Sequence, residues 1–260
     1  MQTHCYPITI LPHLKRLFLD YAESESVMRP FFAVSPRDEN WAAGGTDFKG
    51  DREALASLLE KQNREWGASP ATLENIEKIR QGADVVVTGQ QVALFGGPLF
   101  TLYKAATAIA RAKAAGAVPV FWLATEDHDL EEVNHVTLAT RRELATLKLE
   151  TETAAGPPVG RIRLGEGIGA VLDQAAELLG GMPEMDLLRE VYRPEATFAE
   201  AFARLMLATF ARQGLVVIDA SGREFHAAGA GVLRAAIERA EELEARLHER
   251  DLLLAEREYH

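Results

Sequence analysis

The stretch that decides the fold is DVVVTGQQVALFGGPLFTLYKAATAIARAKAAGAVPVFWLA, residues 84–124. The apolar runs at 84–88 and 118–124 predict two buried strands, and the amphipathic segment 97–116 between them predicts a helix. Apolar strands that alternate with a helix are typical of a βαβ unit in a parallel sheet with both faces covered. The apolar stripe of this helix is expected to comprise Leu99, Leu102, Ala106 and Ile109.

Outside this unit the sequence predicts mainly helices and one further core strand. The run LVVIDA at 215–220 predicts a third buried strand, so the expected fold class is α/β with a parallel sheet core. A hairpin is expected to pair residues 142–150 with 159–164. Three parallel strands make a thin sheet, and we therefore expect the polypeptide to be part of a longer one. The expected segments are a helical N-terminal region packed on the core (1–82), the βαβ core (83–140), an inserted connecting segment (141–195), a core helix and strand (196–222) and a long charged helix (223–260).

The composition favours an acidic globular protein that handles small molecules. Of the 260 residues, 47% are hydrophobic and 26% are charged, and the formal net charge is −11. Because proteins that bind nucleic acids typically carry a basic patch, no nucleic-acid partner is expected. No stretch approaches the ~20 apolar residues of a membrane span, so no membrane partner is expected. The single cysteine, Cys5, excludes an intrachain disulfide, and with no secretory signal it favours a cytoplasmic location.

Three loops follow the predicted strands, and ligands bind at this end of the strands in parallel sheets. The loops are Thr88–Pro98, Thr125–His135 and Asp219–Arg223. The third carries the weakest signal. Asp219 could contact a ligand hydroxyl, but it could also be a plain strand end before a helix capped by Ser221.

The first loop has the residues to bind an anion and a polar group. Gly89, Gly96 and Gly97 would let the backbone turn sharply, and Gln90 and Gln91 supply uncharged donors and acceptors for hydroxyls or amides. The start of the following helix suits a phosphate or carboxylate, which Lys104 could also reach. The pattern matches neither GxGxxG nor the P-loop motif. A long connection whose glycines serve only packing is the alternative interpretation.

The second loop offers acid–base groups directly after a strand. Glu126, Asp127 and His128 lie where side chains enter a site, and a carboxylate beside a histidine can orient it for proton transfer. Asp129, followed three residues later by an acid, is explained by helix capping alone. A metal site formed by His128, His135 and an acid is a further alternative, which no known ligand spacing supports.

Three segments together resemble the cysteine-adding enzymes of bacillithiol biosynthesis, the BshC family. They are VVVTGQQVALFGGPLFTLYKAATAIARAK, VPVFWLATEDHDLEEVNHV and TFAEAFARLMLATFARQGLVVIDAS. The resemblance covers most of the chain, and its combined motifs are far more specific than any general one. The residues that match the family pattern are Thr88, Gly89, Gln90, Gln91, Gly97, Pro98, Tyr103, Lys104, Trp122, Glu126, Asp127, His128, Asp129, Asn134 and His135.

The resemblance implies a Rossmann-like core with helical insertions. It also implies a ligase that joins L-cysteine to the amine of glucosaminyl-malate to form bacillithiol. Because a carboxylate does not condense with an amine unaided, ATP is the expected co-substrate, with Mg²⁺ expected only alongside the nucleotide. Family members are longer and continue into a coiled coil similar to a dimerisation element, so a homodimer is expected for the complete protein.

Site roles follow from combining this resemblance with the chemistry of the side chains. His128, oriented by Asp127 or Asp129, is expected to accept the proton of the attacking amine, while Glu126 holds sugar hydroxyls or the ammonium group. The residues expected to bind substrate or nucleotide are Thr88, Gly89, Gln90, Gln91, Gly97, Lys104, Trp122, Asp129, Asn134 and His135. Two alternatives stay open: a nucleotidyltransferase-like enzyme that uses ATP without forming the amide, and a non-catalytic module that binds a sugar or nucleotide.

Overall fold

The computed structural model describes residues 4–23, 25–32, 34, 35, 38, 41, 50–140, 143–151 and 156–259. Contacts between residues divide the chain into two units. One consists of Met1–Phe48 with Gly229–His260, and the other of Lys49–Ala228. The second unit contains the sheets and every candidate site residue. In the part of the chain that is described, no helix is both long enough and apolar enough to cross a bilayer.

Helices and strands alternate through most of the chain. In order, they are α1 (Arg16–Glu23), α2 (Glu25–Met28), α3 (Arg52–Glu65), α4 (Pro70–Arg80), β1 (Val85–Gln91), α5 (Leu99–Ala115), β2 (Val118–Ala124), α6 (Leu130–Val133), β3 (His135–Ala139), β4 (Leu144–Lys148), α7 (Gly167–Leu179), α8 (Glu184–Val191), α9 (Phe198–Thr209), β5 (Val216–Ile218), α10 (Arg223–Glu238) and α11 (Ala240–Glu256). Short 3-10 turns occur at Ile8–Ile10, Leu94–Gly96, Val159–Arg161 and Ala211–Gln213.

The main sheet is parallel, with its strands in the order β1-β2-β5. Val85 lies opposite Val118 at one end of the β1–β2 pair, and Gln91 lies opposite Ala124 at the other. Strand β2 also pairs with β5, with Val120 opposite Val216. The α/β class with a parallel core is therefore confirmed, and the carboxyl ends of all three strands meet at one edge.

Both faces of the central strand β2 are buried over residues 118–121, as its continuous apolar sequence requires. On one face Val118 and Val120 pack with Ile76 of α4. On the other face Phe121 belongs to a larger core with Phe202 of α9, and the two rings are 6.0 Å apart. Burying each such side chain contributes roughly 1.5–3 kcal/mol, so these two cores hold the sheet between layers of helices.

Helix α5 forms as predicted, but the predicted apolar stripe is only half right: Leu102 and Ile109 pack against the core, whereas Leu99 and Ala106 do not. Leu99 is 64% exposed and Ala106 is also exposed, while Leu102 and Ile109 are only partly buried. The small side chains of the observed face let the helix approach the sheet closely, which larger side chains would prevent. The buried residues of this face are Thr101, Ala105, Ala108 and Ala112.

The predicted hairpin partner is also wrong. Strand β4 lies inside the expected 142–150 segment, but it pairs antiparallel with β3 rather than with 159–164. A hydrogen bond closes this hairpin where β3 ends and β4 begins: the Thr140 N–H donates to the Glu143 carbonyl oxygen at 2.9 Å. The nearer strand closes the smaller loop, which costs less conformational entropy. Half of the expected turn at 151–158, residues 152–155, lies outside the described residues.

The segment expected to form the second hairpin strand instead packs onto the loop after β2. Val159 N–H donates to the Asp127 carbonyl at 2.7 Å, and Gly160 N–H donates to the Thr125 carbonyl at 3.0 Å. A side chain on Gly160 would place its Cβ 2.4 Å from the Thr125 Cβ, so only glycine allows this approach. The backbone N–H groups of this segment therefore bond the loop that carries the candidate site, instead of a neighbouring strand.

The charged C-terminal segment is helical as expected, but it is divided into two helices. Arg239, with φ −114° and ψ 27°, leaves the helical conformation between α10 and α11. Within the first unit the chain then returns to the N-terminal helices. The Tyr259 hydroxyl donates to Asp20 at 2.7 Å and lies 3.8 Å from the Met28 sulfur.

Candidate functional site

The end of β2 is joined to the end of β5 by side-chain hydrogen bonds. The buried Thr125 hydroxyl donates to the Asp219 carboxylate at 2.6 Å, and the same carboxylate oxygen accepts from Ser221 N–H at 3.0 Å. Gln62 of α3 bonds the backbone of Asp219, donating to its carbonyl at 2.8 Å. Asp219 therefore fixes the geometry of the strand ends.

The TGQQ segment is part of a strand rather than a turn, because β1 runs to Gln91 instead of ending at Thr88. The expectation that Gly89 turns the chain sharply is therefore wrong. A Cβ at Gly89 would lie 2.7 Å from the Trp122 carbonyl oxygen, so glycine is needed for the close approach of β1 to β2. The sharp turn comes later, where Phe95, Gly96 and Gly97 all have positive φ.

The turn after β1 is anchored by a tyrosine that no motif had indicated. Tyr192, at the end of α8, is fully buried, and its hydroxyl accepts from Gly96 N–H at 3.2 Å. Its ring meets Phe95 edge-on, with 5.0 Å between the ring centroids. Burial raises the pKa of Tyr192 well above its ordinary value, so the hydroxyl stays neutral. The turn is therefore held rigidly beside the start of α5.

The two adjacent glutamines have separate partners. The Gln91 amide nitrogen donates to the Asp127 carboxylate at 2.7 Å and also to Glu132. Gln90 accepts from the Lys104 ammonium group at 3.0 Å, and this group lies 5.6 Å from the centre of the Phe100 ring. Successive residues of a strand point to opposite faces, which separates the two amides. Gln91 therefore links the first loop to the second.

The start of α5 is open to solvent next to this lysine. Pro98 occupies the N-cap position and provides no side-chain hydrogen bond, so no side-chain cap satisfies the first backbone N–H groups of the helix. Leu99 and Phe100, the first two helical residues, are both mostly exposed. The free N–H groups and Lys104 give this corner a positive potential, which favours an anion.

The acidic loop is ordered by hydrogen bonds to its own backbone. Asp127 accepts from His128 N–H at 2.7 Å and from Asp129 N–H at 3.2 Å. The hydrogen bond from Gln91, followed by these backbone bonds, lowers the pKa of Asp127 below its ordinary value. Asp129 caps α6 by accepting from Glu132 N–H at 3.3 Å, as the structural alternative expected. Both carboxylates next to His128 in the sequence thus accept hydrogen bonds from backbone N–H groups, Asp127 within the loop and Asp129 from α6.

Three of the expected binding residues have surroundings that differ from one another. Trp122 is half-exposed on β2, beside Gly89. Asn134 is buried, and its backbone carbonyl oxygen accepts from Leu149 N–H at 2.7 Å. His135 is exposed, and its Nδ1 lies 2.8 Å from the Glu131 carbonyl oxygen. These contacts link Asn134 to the residue that follows β4 and His135 to α6, whereas Trp122 lies on β2 opposite Gly89, next to the glutamines.

Thr88 and Gly97 lie in the strand and the turn that come before and after the glutamines. Thr88 lies opposite Phe121 in the parallel pairing, one residue before Gly89. Gly97 has φ 70°, and a Cβ there would come within 3.0 Å of the Ala93 side chain. Both residues shape the strand and turn that place the glutamines.

One further titratable residue reaches the site from α10. The His226 Nε2 atom lies 3.1 Å from a carboxylate oxygen of Glu126, and both side chains are about half exposed. The sequence offered one signal for this residue, since it lies in the first turn of the helix that follows the third strand-end loop. Among the described residues, no cluster of three or more His, Cys, Asp or Glu side chains is arranged to hold a metal ion.

The parallel sheet, with polar side chains gathered at its carboxyl edge, defines an α/β protein of the Rossmann-like class. The family model for "Bacillithiol biosynthesis BshC, N-terminal Rossmann-like domain" matches residues 1–260. The chain therefore belongs to the BshC family, and the Rossmann-like core implied by the sequence motifs is confirmed.

Relatives in several bacteria carry the name "Putative cysteine ligase BshC". That of Koribacter versatilis is 38% identical over 265 residues, which cover 98% of this chain and 50% of the relative. That of Salinibacter ruber is 34% identical, with 83% of this chain and 42% of the relative covered. That of Solibacter usitatus is also 34% identical, with 100% and 50% covered. The chain thus spans about half the length of these relatives.

Proposed function

We propose that this chain carries the catalytic edge of a ligase that adds L-cysteine to the glucosamine amine of glucosaminyl-malate, forming bacillithiol. The observation that carries the proposal is the 2.7 Å hydrogen bond between Gln91 and Asp127. It joins the two motifs, TGQQ and EDHD, that are most specific to the family, at the edge where parallel sheets bind ligands. Membership of the BshC family supports the same activity.

The positive corner formed by the start of α5 and Lys104 suits the charged groups of the substrates. The open start of α5, Gly97 and Lys104 would hold the malate carboxylates or a phosphate, and Gln90 positions the lysine through its 3.0 Å hydrogen bond. An amide forms only when the cysteine carboxylate has been activated. ATP, with Mg²⁺ bound to the nucleotide, is the co-substrate that we propose for this activation.

The acidic loop after β2, which carries Glu126 and Asp127, suits the amino sugar. One carboxylate oxygen of Glu126 lies beside His226, so its other oxygen and Asp127 would bind the ammonium group and hydroxyls of the entering sugar, and the half-exposed ring of Trp122 would pack against the sugar. The amine attacks only in its neutral form, so a proton acceptor is needed near it. Two histidines at this edge, His128 and His226, are the candidate acceptors.

Two properties of the complete protein accompany this proposal. We propose that it acts in the cytoplasm and that it forms a homodimer. Exposed leucines on α11, at Leu243 and Leu247, support pairing of this helix with its copy in a second protomer, because apolar side chains four residues apart lie on one helix face. Light scattering of the complete protein would give its mass in solution.

The proposal is tested on the complete gene product. We would incubate it with cysteine, glucosaminyl-malate, ATP and Mg²⁺, and follow thiol products and nucleotides by mass spectrometry, with each substrate omitted in turn. We expect bacillithiol together with either ADP or AMP. Release of pyrophosphate without dependence on cysteine would instead indicate a nucleotidyltransferase. Saturable binding of ligand without any product would indicate a binding module.

A further inference from the structure

We propose that His226 is the residue that accepts the proton of the attacking amine, and that Glu126 holds it in position. This inference rests on the proposed ligase activity. His226 lies outside both family motifs, and only the fold brings it to the site.

The placement of His226 follows from the way β5 leads into α10. The hydrogen bond from Thr125 to Asp219 fixes the end of β5 against the end of β2. The Gly222 carbonyl then accepts from Phe225 N–H at 3.0 Å and from His226 N–H at 3.1 Å, which starts the helix. His226 therefore lies in the first turn of α10, where its ring meets Glu126, the second residue after β2.

The two candidate histidines differ in their carboxylate partners. The carboxylates beside His128 accept hydrogen bonds from other groups: Asp127 accepts from the Gln91 side chain and from N–H groups of its own loop, and Asp129 caps α6. The His226 ring, by contrast, has a carboxylate oxygen of Glu126 3.1 Å from Nε2. A carboxylate that accepts from one ring nitrogen fixes the tautomer and leaves the other nitrogen as the acceptor.

This arrangement assigns a defined path to the proton. The amine of the sugar first releases one proton to solvent. Its nitrogen then attacks the carbonyl carbon of the activated cysteine, forming the C–N bond as the C–O bond to the phosphate-type leaving group breaks. The leaving oxygen takes the electron pair, and the second nitrogen-bound proton moves to Nδ1 of His226. The carboxylate of Glu126 stabilises the resulting imidazolium and releases no proton itself.

The test compares variants of the complete gene product in the bacillithiol assay. His226→Gln should lower kcat about 100-fold or more, as loss of a general base does, with little change in the KM for glucosaminyl-malate. Glu126→Gln should lower kcat by a smaller factor, since the ring remains. In His226→Ala, added imidazole should restore part of kcat, which a purely structural role would not allow. His248→Gln, which alters an exposed histidine on α11, is the matched control.

The outcomes separate this inference from the proposal that it deepens. If the unchanged protein makes no bacillithiol, the ligase activity and this role both fail. If it does make bacillithiol while His226→Gln keeps kcat within about twofold, only the role of His226 fails. If kcat falls strongly in His128→Ala, and added imidazole does not restore kcat in His226→Ala, the proton acceptor is His128 rather than His226. Circular dichroism should show that every variant remains folded, because an exposed pair contributes little to stability.

Discussion

At the scale of single residues, Gln91 decides how the two motifs meet. Its amide donates to Asp127, and this hydrogen bond is the largest cause of the lowered pKa of that carboxyl group. The sequence could nominate both residues because each follows a predicted strand. It could not show that they bond one another, since the bond depends on the register that places Gln91 opposite Ala124.

We expect Gln91→Ala to raise the pKa of Asp127 toward its ordinary value of 3.8, because the main donor to the carboxylate is removed. A carboxyl group whose pKa is lowered by folding stabilises the fold above its unfolded pKa, and this contribution disappears as the pH falls through the folded value. The unfolding free energy of the variant should therefore depend less on pH in this acidic window. The pKa is measured from the NMR titration of the Asp127 carboxyl carbon.

Gln81→Ala is the matched control, since the Gln81 amide donates to a different carboxylate, Glu77, at 2.8 Å. This substitution should leave the pKa of Asp127 unchanged. An Asp127 titration that is the same in Gln91→Ala and in the unchanged protein would refute the assigned cause.

At the scale of elements, the contact between β1 and β2 depends on one glycine. A Cβ at Gly89 would lie 2.7 Å from the Trp122 carbonyl oxygen and 3.0 Å from the Trp122 Cβ. Because the nearest atom belongs to the backbone of the neighbouring strand, the clash cannot be relieved by moving a flexible side chain. The sequence predicted a glycine with a special role here, but the role is close packing rather than a turn.

We expect Gly89→Ala to lower the free energy of unfolding by about 1–3 kcal/mol, as overpacking does in other interiors. Urea unfolding followed by circular dichroism measures this change. Gly169→Ala is the matched control, because Gly169 lies in α7 and a Cβ there meets nothing within 4 Å. The control should raise stability by roughly 0.5–1 kcal/mol, since alanine favours a helix over glycine. Equal stability of the two variants would show that β1 can move away from β2.

At the scale of the whole molecule, one face of β1, at the edge of the described sheet, is exposed to solvent. Strand β1 pairs only with β2 in the described residues, and its Val85 and Val87 are 43% and 53% exposed. Strands of parallel sheets are normally covered on both faces. The curated relatives that match this chain are about twice as long. In a polypeptide of that length, we expect additional structure to cover this face of β1.

The expectation is tested by thiol labelling of the complete gene product, with Cys5 and every other native cysteine first replaced by serine. A cysteine introduced as Val87→Cys should react with a maleimide only after denaturation. Leu144→Cys, at a position that is 74% exposed on β4, should react rapidly in the folded protein. Equal labelling rates at the two positions would show that the face of β1 stays open.

The sequence by itself determined the parallel α/β core and the edge that carries the site. Long apolar runs specify strands buried on both faces, and their ends specify where ligand-binding loops begin. It also determined the local cap at Asp129, whose carboxylate accepts from Glu132 N–H at 3.3 Å. Such features depend on residues only a few positions apart, so their pattern is visible in the sequence alone.

Only the tertiary structure decided the pairing of β3 with β4, the support of the turn by Tyr192 and the contact between Glu126 and His226. The last two contacts join residues about 100 positions apart, Gly96 with Tyr192 and Glu126 with His226. Hydrophobic periodicity reports which face of an element is buried, but not what packs against it. The partners are chosen by the packing of the whole unit, and for that reason the histidine that we assign to proton transfer is absent from every local motif.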